Sequence, residues 1–143
     1  MSLAAGVNDL ASRIAAEIKA IVGRVSPAAI VAVFDGGGSV IPAGTKVTIP
    51  VPVAGTAKDW TLLADVSGDA VVNIYKCTFA AAPPTVADKI TASAPPTLAA
   101  AAKATSTALT GWTTAVASGD VFTFIVDSNT AATKLSIALK VQR

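Results

Sequence analysis

Histidine is absent from the 143 residues, which removes at one stroke the commonest general base, proton shuttle and zinc ligand. The single cysteine, Cys77, cannot close an internal disulfide, and without a histidine beside it no thiol nucleophile is expected. Its place at the end of an apolar run reads as a buried, inert thiol. Charge is scarce too, at 14% of residues against roughly 25% in an ordinary globular domain. Glu17 is the only glutamate, and most aspartates (Asp35, Asp59, Asp65, Asp69, Asp88, Asp120, Asp127) fall at turns, so no glycosidase-type carboxylate pair is indicated. Asp65-Val66-Ser67-Gly68-Asp69 begins like a calcium loop but lacks the later glutamate that closes the shell. The three glycines at 36–38 precede no Lys-Ser/Thr pair and no helix, so they are not a phosphate loop. The sequence is therefore read as non-enzymatic, with no catalytic residue, no metal and no cofactor. A lyase or hydrolase is the reading this composition argues against most.

Further absences bound the partners. The net charge is +2, and the basic residues from Arg13 to Arg143 never cluster, so no nucleic-acid surface is expected. The longest apolar run, Ala28 to Phe34, is far short of the roughly 18 residues of a spanning helix. Met1-Ser2-Leu3 is not a basic leader, and Asp9, Arg13 and Glu17 interrupt the apolar stretch after it, which argues for synthesis in a cytoplasm without a secretory signal.

What is abundant is small and apolar: 52% hydrophobic residues, Ala and Val foremost. Residues 8–23 carry a helical period, with Leu10, Ile14, Ile18 and Ile21 spaced by four, four and three. Asp9, Arg13 and Glu17 succeed one another at i,i+4 on the opposite side, where neighbours form ion pairs. Asn8 or Asp9 is placed to cap the start and Gly23 the end. With Leu3, Val7 and Val25 the stripe approaches a heptad over about three repeats, which permits a parallel bundle between subunits. The same stripe also suits a helix folded back onto its own domain.

From Ala29 the texture becomes short β-type runs between turn residues: Ile30 to Phe34, Lys46 to Val53, Trp60 to Asp65, Ala70 to Cys77, Ala104 to Leu109, Val121 to Asp127 and Lys134 to Gln142. The pattern predicts a mainly β chain, an N-terminal helix (1–27, with its linker) followed by an antiparallel β-sandwich or jelly-roll module of seven or eight strands (28–143). Leu135, Ile137, Leu139 and Val141 alternate with polar or small residues, marking one buried and one wet face. Pro50 and Pro52, two apart, delete amide donors along one side, which marks an edge strand. Gly36–Gly38 and Ser67-Gly68-Asp69 read as turns. Between Thr78 and Lys103 the chain is irregular, and Ala82-Pro83-Pro84-Thr85-Val86-Ala87 returns as Ala94-Pro95-Pro96-Thr97-Leu98-Ala99. Long irregular segments in compact domains are commonly contact surfaces, so Pro83, Pro84, Pro95 and Pro96 become candidate partner residues. Trp60, Trp112 and Tyr75 would stack on sugars if exposed, although a tryptophan opening an apolar strand more often belongs to a core.

The blocks Ala43-Gly44-Thr45-Lys46, Trp60-Thr61-Leu62-Leu63-Ala64-Asp65 and Pro83 through Thr91, then Pro96-Thr97-Leu98, Leu109-Thr110-Gly111-Trp112-Thr113, Gly119-Asp120-Val121-Phe122 and Val126-Asp127-Ser128, succeed one another in order. Together they resemble a β module of tail-fibre, minor-tail and other structural proteins of tailed bacteriophages. Leu10 to Lys19 is similar to the opening helix of such proteins. The resemblance implies a virion structural protein: a tail or head fibre, or a capsid decoration protein. It would be a homo-oligomer, expected as a homotrimer through Leu10, Ile14, Ile18 and Ile21, partnered by other capsid or tail proteins. An adhesion module for a host receptor or glycan is the alternative.

Overall fold

The computed structural model describes residues 2–23 and 27–143. The expected helix is longer than its apolar period alone required. It runs Leu3–Gly23 (α1), because Ser2 caps it: the Ala5 amide donates to Ser2 Oγ at 3.2 Å, and the Gly6 amide to the Ser2 carbonyl. Asn8 and Asp9, expected as caps, lie inside it, since the alanine-rich first turn is itself a strong helix former. Arg24, Val25 and Ser26 lie outside the described residues, and with them the last position of the stripe.

Seven strands complete the chain: β1 (Ala28–Asp35), β2 (Lys46–Val51), β3 (Gly55–Cys77), β4 (Thr97–Ser106), β5 (Ala115–Val116), β6 (Asp120–Asn129) and β7 (Lys134–Gln142). All the strand pairings are antiparallel, in the order β1-β7-β3-β6-β2, with β4 and β5 also on β3. The sandwich or jelly roll expected from strand count is, in the structure, one seven-stranded sheet nearly closed into a barrel, since β1 and β2 approach without pairing.

The largest departure from the sequence reading is β3. Trp60 to Asp65 and Ala70 to Cys77 are not two strands joined by a turn but parts of one 23-residue strand. Its first half pairs with β7 (Thr56 to Ala64) and its second with β6 (Ala70 to Cys77). Ser67-Gly68-Asp69 lies within register shifts of the β3–β4 ladder, a bulged bend rather than a reversal. Gly68 is needed there for close approach: a Cβ would stand 3.0 Å from Ala131 Cβ and Thr130 Oγ1. The 36–38 turn is as expected, with Gly37 and Gly38 at positive φ and the Gly37 amide bonded to Asp35 Oδ1 at 2.8 Å.

The core is built from one phase of each strand: Phe34, Leu62, Ile74, Phe122, Phe124, Leu135, Ile137 and Leu139 are fully buried. On the second half of β3 and the first half of β6 the other phase is buried as well, at Asn73, Tyr75 and Cys77 and at Val121 and Thr123. The cover is the proline-rich segment. Ile90 donates its amide to the Ile74 carbonyl (2.9 Å), Thr91 Oγ1 donates to Asn73 Oδ1 (3.0 Å), and Trp112 Nε1 donates to the Ala94 carbonyl (2.9 Å). Cys77 is a free, buried thiol whose pKa burial raises.

Candidate interaction surfaces

Asp65, Asp69, Asp88 and Asp120 each accept a backbone amide, and Asp59 pairs with Lys140 at 3.3 Å. Asp65 accepts the Thr133 hydroxyl and the amides of Thr133 (3.0 Å) and Lys134 (3.1 Å), tying the β6–β7 turn to the middle of β3. The Thr133 hydroxyl, with these amides, holds its pKa below the ordinary carboxyl value. Asp69 Oδ1 accepts the Ala100 amide at 2.7 Å. Asp120 accepts Lys76 Nζ (3.1 Å) and the Ala117 amide (2.9 Å). Asp88 accepts the Thr85 amide and hydroxyl (2.7 and 2.9 Å), and the Thr85 amide foremost lowers its pKa. Asp65 and Asp69, the ends of the calcium-like run, therefore point into separate backbone networks. Among the described residues no group of three His, Cys, Asp or Glu could hold a metal, and no helix is long and apolar enough to cross a membrane.

The tryptophans proposed for contact are core residues: Trp60 is 7% exposed and Trp112 8%. Trp60 enters the core with Leu62 from the inward phase of β3, and Trp112 is pinned by its indole N–H. Neither offers a ring face to a sugar. The four prolines divide. Pro83 is exposed, Pro84 and Pro95 are half-buried, and Pro96 is buried, its carbonyl accepting the Val72 amide at 3.0 Å. Phe79 and Val86 in the same segment carry no distinguishing signal in the sequence, yet both are well exposed. Phe79 joins Pro50, Val51, Pro52 and Gly119 around a shallow apolar hollow of about 370 Å³.

The helix residues behave differently. Leu10, Ile14, Ile18 and Ile21 are 51% to 63% exposed, and Leu3, Val7 and Val22 are exposed too, so the stripe lies open along the whole of α1. It is not folded down onto the β module.

A second open apolar surface is not evident from the sequence. Across the outer face of the sheet, Val31 pairs with Ala138 and Ala138 with Thr61, while Val33 pairs with Ser136 and Ser136 with Leu63. Val31 (50%), Val33 (62%) and Leu63 (47%) stand out of it. The signal was the run Ala28 to Phe34, apolar in both phases where β7 alternates. Such a run reads as a strand buried on both faces, yet β1 is covered on one.

No family of proteins matches the sequence, and no curated protein matches it. Among solved structures, a structure of the infectious bursal disease virus Gx strain is similar over 81% of this chain and 36% of that one, at 14% identity and a TM-score of 0.21, which does not make the two folds the same.

Proposed function

We propose that the chain is a non-enzymatic structural protein of a virus particle, a short fibre or decoration protein of the tailed-phage kind, assembled as a homotrimer through α1. The observation that carries this is the open stripe Leu10, Ile14, Ile18 and Ile21 on a helix whose β module has a complete core without it. Helices in proteins gain most of their stability from packing an amphipathic face, and large apolar side chains in a row on an exposed surface mark an interface. Each half-exposed aliphatic side chain contributes about 1 kcal/mol when covered, and a bundle covers the stripe of every copy at once. The virion assignment rests on the ordered sequence blocks from Ala43 to Ser128 and on the helix Leu10 to Lys19. The chain would be made in the host cytoplasm, carried on the particle, and held there by other capsid or tail proteins.

Light scattering on a sizing column tests the bundle. The native chain is expected at a multiple of three chain masses, and Ile14→Lys with Ile18→Lys, which keeps helix propensity, loses that factor of three. An unchanged mass for the double variant would overturn the reading.

A second reading, adhesion to a host glycan, is favoured by the exposed Phe79 beside the Pro50–Pro52 hollow. It requires glycan-array binding that Phe79→Ala abolishes in a still-folded oligomer, and an array with no signal excludes it.

A further inference from the structure

The large apolar residues of α1 repeat on a period that is not seven. Leu3 and Ile14, Val7 and Ile18, and Leu10 and Ile21 each stand eleven residues apart, with steps of four, three, four, four and three. A strict seven-residue repeat begun at Leu3 and Val7 would bring Glu17 into the seam and leave Ile18 on its flank. Eleven residues in three turns is about 3.67 per turn, close to the 3.6 of a straight helix, and all six side chains then fall within an arc of about 80°. Only Val22 among the large apolar residues of α1 lies outside it.

The surface of α1 is shaped for insertion. Leu10, Arg13, Ile14 and Glu17, and then Ile14, Glu17, Ile18 and Ile21, are successive sets at i, i+3, i+4 and i+7, the outline of a hole for a knob from a facing helix. Together they line one hollow of about 460 Å³. So narrow a strip is a seam for another helix, whereas a lipid surface calls for a broad apolar face and an excess of Lys and Arg. The helix carries Asp9 and Glu17 against Arg13 and Lys19, with no such excess. Each of the six side chains is more than half exposed. At on the order of 500 Å² per copy, two copies only reach the lower bound of a stable interface, and three bring together about 1,500 Å².

We infer that copies of α1 meet parallel and in register on an eleven-residue repeat, as a straight or slightly right-handed bundle with Ile18 in its seam and Glu17 on its rim. This rests on assembly through α1 and fixes how that assembly is built. A seven-residue repeat winds helices left-handed, and an eleven-residue repeat winds them the other way. The two flanks of the strip also differ, one bearing Asp9, Arg13 and Glu17 and the other Ala4, Ala11 and Ala15. Around a parallel ring each charged flank faces the alanine flank of the next copy, which the Arg13 stem can cover. An antiparallel pair would set each flank against its own kind.

Cysteine crosslinking reads the seam, because the native Cys77 is buried. Oxidised Leu10→Cys, Ile18→Cys and Ile21→Cys chains are expected to form covalent dimers, while Glu17→Cys stays uncrosslinked, since a disulfide needs Cα atoms within about 7 Å. Light scattering follows the mass of each reduced variant. Loss of the native mass on Ile18→Cys, with Glu17→Cys unaffected, carries the same meaning as crosslinking at 18. Crosslinking at 17 that equals or exceeds that at 18 overturns the inference in favour of a heptad seam and leaves assembly through α1 standing. Crosslinking at one central position, with none at 10 and 21, makes the helices antiparallel and overturns it as well. A native chain that is monomeric, whether or not it floats with phosphatidylcholine and phosphatidylserine vesicles, overturns both the seam and the assembly beneath it.

Discussion

Thr91 and Asn73 meet in the interior, the hydroxyl donating to the amide oxygen at 3.0 Å, with Thr91 wholly buried. Thr91→Val keeps the shape and leaves Asn73 Oδ1 without its donor, so urea unfolding is expected to show a loss of about 1 to 3 kcal/mol. Asp65 makes a pH prediction. Its folded pKa lies below the ordinary 3.8, so the ionised form favours the folded chain. That stabilisation is whole above the unfolded value and is lost as pH falls through the folded one. Melting curves taken down through this range should show a fall in Tm that is shallower in Asp65→Asn, and equal slopes would remove Asp65 from the account. Little of this was legible in the sequence. Asp65, Gly68 and Asp69 read as turn chemistry, because residues that satisfy a bend in one continuous strand are the same types that satisfy a reversal. Trp60 and Trp112 were open to two readings because a ring at a strand start is amphipathic, and only packing decides which end is wet.

At the scale of elements, periodicity was legible wherever one face is wet. The helix period and the alternation of Lys134–Gln142 carry through to α1 and β7, and the prolines of residues 46–53 mark β2 as an end of the sheet order. β4 was displaced, expected at Ala104 to Leu109 and found at Thr97–Ser106, because a run of alanines has no alternation and its helix preference is overridden by pairing with β3. The repeated proline motif shows how one residue redirects a segment. Thr85 has Asp88 three places on and closes a capping box over a 3-10 turn, while Thr97 has Ala100 there and runs on into β4. Gly55 tests the opening of β3, where a Cβ would stand 2.3 Å from the Gln142 carbonyl oxygen and 2.7 Å from Val141 Cγ1. Gly55→Ala is expected to cost about 1 to 3 kcal/mol in denaturant unfolding through displacement of the end of β7. A neutral outcome would mean that the end of β7 yields freely.

For the whole molecule, a core that is complete without α1 implies that the β module keeps its stability when the helix stripe is made polar. Ile14→Lys with Ile18→Lys should leave unfolding of the β module within about 0.5 kcal/mol of the native value when both are compared as separated subunits. In the native chain Tm should rise with protein concentration, as it does when association is linked to folding. What covers the helix cannot be read from composition, because an apolar stripe looks the same whether it is covered by its own domain or by a neighbour.

The long central strand has a consequence for how the protein comes into being. β3 is finished at Cys77, but β4, β5, β6 and β7, which bond to it, are all encoded later, and β1 is held in the sheet by β7 alone. A chain emerging from the ribosome therefore carries twenty-three residues of unsatisfied strand, and an apolar first strand, until Lys134–Gln142 has been made. Folding must wait for Lys134–Gln142 and then close its longest loops at once, the slow route for a sheet of non-local pairings. During that interval β1 and β3 are the places where nascent copies can join wrongly.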